Sequence, residues 1–123
     1  VEKASKRAGE AAFILGSLAM NAEVMRAFSF SHPFLMALGD VLMSWMLLDR
    51  AVRSAGRLGE MCGSFDPADW KKKAQENKKA AFYEGIIYSA RFFINAELPA
   101  TMGKFDAVNV TDGAAVEILE ISF

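Results

Sequence analysis

Residues 31–52 read SHPFLMALGDVLMSWMLLDRAV, and the spacing of their large apolar side chains decides the fold class. Phe34, Leu38, Val41, Trp45, Leu48 and Val52 recur at steps of three and four. That period places them on one face of a helix and excludes a strand, whose side chains alternate. Leu35, Leu42 and Met46 widen the stripe, as a helix covered on two sides requires. The start carries helix punctuation: Ser31 as N-cap, Pro33 in the first turn, and Phe30 with Leu35 as a hydrophobic staple. Gly63 is a natural stop at the far end.

The same period extends to both sides. Upstream, Ala11, Leu15, Leu18, Ala22 and Met25 share a face. Downstream, Trp70, Ala74, Ala81, Gly85, Tyr88 and Phe92 do so, joined by Phe82, Ile86 and Phe93. Asp66 is the expected N-cap of that segment, Pro67 its first residue, Asp69 its acidic first turn, and Phe65 with Trp70 its staple. Pro99 is expected to end it near Leu98. The reading is therefore an all-α, up-and-down bundle of three long antiparallel helices over about 4–28, 32–62 and 67–98. A loop follows to Val110, then a short helix capped by Thr111 or Asp112 and ending near Glu120. The only strand-like pattern is the tail from Glu117 to Phe123.

At 123 residues the chain has the size of one domain, with no internal repeat or linker. Its formal net charge of −1 argues against a nucleic-acid or anionic-membrane binder, which needs a basic excess. The apolar run Phe34–Leu48 is too short to span a bilayer and carries Asp40. The lone Cys62 fits a reducing, cytoplasmic setting better than a disulfide framework. No basic-then-apolar leader opens the chain. The first residue, Val1, fits either a processed start or a piece of a longer polypeptide.

Chemistry-bearing patterns are sparse. One histidine, His32, cannot supply the paired Glu-x-x-His of a di-iron bundle, and reads as a capping or surface residue. Cys62 falls near a helix C-terminus, where the dipole disfavours a thiolate, and reads as packing. Gly56, Gly59 and Gly63 follow no strand, so they make no dinucleotide loop. The methionines, Met43 and Met46 among them, read as core filling. No catalytic or metal-binding residue is assigned.

The remaining candidates are structural or interfacial. Lys71, Lys72 and Lys73, with Lys78 and Lys79, form either a solvated helix face or a dock for an acidic surface or a phosphate-bearing ligand such as coenzyme A. Gly16, Gly39 and Gly85 fall inside helices at roughly 1 kcal/mol each relative to alanine. Close approach of another helix, or of another domain, would offset that. Arg91, inside an apolar segment, either sits at the rim, makes an intermolecular contact, or pairs with a carboxylate such as Asp40.

Residues Lys79-Ala80-Ala81-Phe82-Tyr83-Glu84-Gly85, followed by Ala90-Arg91-Phe92-Phe93 and Leu98-Pro99, carry a resemblance. With the Pro33-Phe34-Leu35 start, the run through Trp45 to Arg50-Ala51 and the tail from Gly113, they resemble the C-terminal domain of bacterial acyl-CoA dehydrogenases of the 3-methylmercaptopropionyl-CoA dehydrogenase-like group. The resemblance covers nearly the whole chain and favours a piece of a larger, multidomain flavoenzyme. It implies that FAD and the α,β-dehydrogenation of an acyl-CoA thioester belong to upstream domains in cis. It implies electron-transfer flavoprotein as acceptor and a place in fatty acid metabolism. No family catalytic or flavin residue maps onto this chain, so no cofactor is expected on it alone. Its role would be packing or subunit contacts, including a homo-oligomer. The competing readings are a free-standing helical interaction or self-association module, and a bundle with a small-ligand pocket near the mid-helix glycines.

Overall fold

The computed structural model describes residues 1–122, and the chain is all-α with no strand among them. The helices are α1 (Glu2–Ala19), α2 (Val24–Cys62), α3 (Pro67–Glu76), α4 (Lys78–Phe92), α5 (Leu98–Val110) and the short α6 (Ala114–Glu117). A π-helical turn, Phe93–Glu97, joins α4 to α5, and a 3-10 turn covers Glu120–Ser122. That turn stands where a strand-like tail was expected; Phe123 lies outside the described residues.

Two compact units divide the chain. The first holds Val1–Val41 and the segment from Leu98 onward; the second holds Leu42–Glu97. In the first, α1 packs against α5. Its core is Ala4, Ala8 and Ala11 of α1, Ala27, Ala37 and Val41 of α2, and Leu98, Thr101, Phe105 and Val108 of α5. Phe34 meets Phe105 edge-on, with ring centroids 6.5 Å apart. Arg26 donates two hydrogen bonds to the carbonyl of Thr111, one at 3.1 Å, and pairs with Glu23 at 2.9 Å. Thr111 has φ +47°, the left-handed position that closes a helix C-terminus.

In the second unit, α3 packs against α4. Asp66 caps α3 as expected, its Oδ1 accepting from the Ala68 N–H at 2.9 Å. Gly63, at φ +63°, ends α2 as expected. Gly59 is a true close-approach glycine: a Cβ there would lie 2.3 Å from the Phe65 ring. Trp70, the expected staple partner of Phe65, donates its indole N–H to the Ser64 carbonyl at 2.9 Å.

Three boundaries differ from the sequence reading. The first turn-over falls at 20–23, not 29–31, so Pro33 lies inside α2 and Ser31 is no cap. The Ser31 and Ser29 hydroxyls instead donate to the carbonyls of Phe28 and Met25 at 2.7 and 3.0 Å, back-bonding in the turn before the proline. The third helix is split at Asn77, whose extended backbone stops α3. Its Oδ1 accepts from the N–H groups of Lys79 and Ala80 and starts α4. Finally, 99–110 is helical. Pro99 sits in the first turn of α5, where a missing N–H is tolerated, and the π turn ahead of it absorbs the change of register.

Candidate docking surface

Along the second half of α2 most of the large apolar side chains are exposed, while two serines are buried. Ser44, Ser54 and Leu58 are buried. Leu42, Met43, Trp45, Met46, Leu48 and Val52 are exposed, Trp45 at 64%. Trp45, Leu48 and Val52 were expected in the core, so this expectation is corrected. The period marks an apolar stripe, but the buried positions of this stretch are Ser44, Ser54 and Leu58. The methionines expected to fill the core, Met43 and Met46, stand on the outer side as well. On the first unit Phe13, Met20, Met25, Phe28, Leu35 and Met36 are likewise exposed. Each unit thus exposes several large apolar side chains.

The mid-helix glycines fit the same pattern. A Cβ added to Gly16, Gly39 or Gly85 would meet nothing within 4 Å, and all three are exposed. Close approach of another helix of this chain is therefore not their reason. Gly85 borders a hollow of about 320 Å³ in the second unit, with Leu47, Arg50, Phe82, Ile86 and Ser89. Gly16 lines an apolar groove of about 480 Å³ in the first unit, between α1 and the start of α2.

Asp40 has partners on α5. Its Oδ2 accepts from the Lys104 ammonium at 2.9 Å and the Thr101 hydroxyl at 2.7 Å, all within the first unit. Arg91 lies in the other unit, with its side chain exposed. Burial alone would raise the Asp40 carboxyl; the bonds from Lys104 and Thr101 and the ammonium charge outweigh it and hold the group below its ordinary value. Lys104 and Thr101 were missed because the segment carrying them reads as loop once Pro99 is taken as a stop. Their spacing of three residues would have placed both on one helical face.

Lys71, Lys72, Lys78 and Lys79 are exposed and Lys73 is half-buried. Among the described residues, the ion pairs formed are those of Arg7, Arg26, Arg53, Arg57 and Lys104, and none involves these five lysines. His32 is exposed on α2, and Cys62 is half-buried at its end. No cluster of metal-ligating side chains is present among the described residues. Among the described residues, no helix is long and apolar enough to cross a membrane.

Comparison with known proteins adds a family to this geometry. The family model described as "Acetyl-CoA dehydrogenase C-terminal like" matches residues 1–118. The chain belongs to that family. Among curated proteins it is similar to a butyryl-CoA dehydrogenase of Syntrophomonas wolfei subsp. wolfei, 27% identical over 94 residues. The match takes in 76% of this chain and 13% of that protein. No solved structure matches.

Asp66 accepts from the Ala68 N–H at the start of α3, Asn77 from the Lys79 and Ala80 N–H groups at the start of α4, and Asp112 from the Ala114 N–H of α6 at 3.0 Å. No chemical step is assigned to these residues.

Proposed function

We propose that this chain is the accessory C-terminal helical domain of a cytoplasmic FAD-dependent acyl-CoA dehydrogenase-like enzyme. In this reading the upstream domains carry out α,β-dehydrogenation of an acyl-CoA thioester in fatty acid metabolism. They pass electrons to electron-transfer flavoprotein. This domain contributes packing and subunit contacts and no chemistry. The observation that carries the reading is the inverted α2, with Trp45, Met46 and Leu42 outside and Ser44 and Ser54 inside. A domain that worked alone would leave that much apolar surface in water; a domain packed on a larger enzyme covers it. The family match supports the choice of a dehydrogenase as the larger enzyme.

The test is the native protein. An antibody raised against this chain should capture a polypeptide several times its size that carries flavin and oxidises acyl-CoA thioesters. The chain by itself should show neither property. Capture of a band at the size of this chain, without flavin, would overturn the reading in favour of a free-standing interaction module.

A further inference from the structure

Two hollows follow one another along α2 and α4 in the second unit. The first, of about 330 Å³, is polar: Arg57, Glu60 and Met61 of α2 line it with Lys79 and Tyr83 of α4. The second, of about 320 Å³, is mostly apolar: Phe82, Gly85 and Ile86 of α4 line it with Leu47 and Arg50 of α2. Lys79, Phe82 and Ile86 succeed each other at steps of three and four, and Arg50 and Arg57 are seven apart. Both hollows therefore open along the same side of the helix pair.

The polar hollow holds more positive charge than the chain neutralises. Lys79 joins no ion pair among the described residues. Arg57 is bridged to Glu60 at 3.3 Å, but the two side chains are 65% and 70% exposed. An exposed pair of this kind contributes little and exchanges readily. The wider field acts in the same sense. The second unit carries nine basic and seven acidic side chains, the first five and eight, so an anion is drawn to the second.

A phosphate monoester suits this donor set. It carries a charge of about −1.5 to −2 at neutral pH and three acceptor oxygens. A guanidinium, an ammonium and the Tyr83 phenol O–H can serve those three oxygens. A carboxylate ligand brings a single charge, no more than Glu60 already offers Arg57. Beside Lys79, the apolar hollow can take the group to which the phosphate is attached. Gly85 keeps it open, since a Cβ there meets nothing within 4 Å. That use would offset the roughly 1 kcal/mol that a mid-helix glycine costs. We infer that this groove binds an amphiphilic phosphate monoester, its phosphate held by Arg57, Lys79 and Tyr83 and its apolar body lying along Phe82, Gly85 and Ile86.

This inference does not rest on the flavoenzyme reading, because its readout is binding to this chain. Calorimetric titration with octyl phosphate, below its micelle concentration, should show one molecule bound per chain. Binding should be at least about tenfold tighter than that of inorganic phosphate, the gain from burying a few methylenes. Lys79→Gln and Arg57→Gln should each weaken it about tenfold. Phe82→Ala should weaken octyl phosphate and leave inorganic phosphate unchanged. Glu60→Gln removes the competing carboxylate and should tighten binding, a gain that misfolding cannot produce. Lys71→Gln, on α3 and outside the groove, should change nothing, and circular dichroism should show folded helix in every variant. Absence of binding would overturn the inference. So would an equal loss in Lys71→Gln and Lys79→Gln, no gain in Glu60→Gln, or octyl phosphate binding no tighter than inorganic phosphate.

Discussion

Asp66 and Asn77 do the same work at two successive helix starts, and each does it with one side-chain oxygen. Asp66→Ala frees the Ala68 N–H and should lower stability by about 1 kcal/mol, read from the denaturant midpoint. An unchanged midpoint would mean that the cap contributes nothing. Asp40 makes a pH-dependent contribution. Its folded carboxyl titrates below the unfolded value of about 3.9. The stabilisation is therefore complete above about pH 4 and fades as pH falls through the lower folded value. Asp40→Asn should cost under about 1 kcal/mol at neutral pH, because Lys104 is partly exposed and screened. The difference between wild type and variant should shrink toward zero in acid; a constant gap would rule out the ionised pair as its source.

Elements were legible where their signals were local. Asp66-Pro67 marked the start of α3, and Gly63 the end of α2, because capping chemistry is written within a few residues. Boundaries failed where a proline was read without its surroundings. Pro33 and Pro99 both lie inside helical stretches, the first after serine back-bonding and the second after a π turn. Asn77 was passed over because the apolar period runs on across it. The face of α2 was misread for another reason. Periodicity shows that a stripe is apolar but not whether this chain or a partner covers it. Gly39 sits on that outer side, and a Cβ there meets open space. Gly39→Ala should thus raise the stability of the chain by about 0.5–1 kcal/mol, read from its thermal midpoint. A loss would show that the glycine serves an internal contact.

At the scale of the molecule, the balance of inside and outside is what the accessory-domain reading rests on. Among its buried residues are many alanines, two serines and a threonine; its tryptophan stripe and several of its methionines lie outside. The family was legible from short motifs. The surface itself was not, because the sequence alone did not show which side of each helix the neighbours take. Trp45→Ala follows from the corrected placement: it should change the stability of the chain by less than about 0.5 kcal/mol, as surface substitutions do. A loss of several kcal/mol would return Trp45 to a core.

Oxidative footprinting of the native protein against the isolated chain tests the covered-surface account most directly. Trp45, Met43 and Met46 should be labelled readily in the chain alone and strongly protected in the native protein. Equal labelling in both would contradict the account, since the outer face of α2 would then be bare wherever the chain is found.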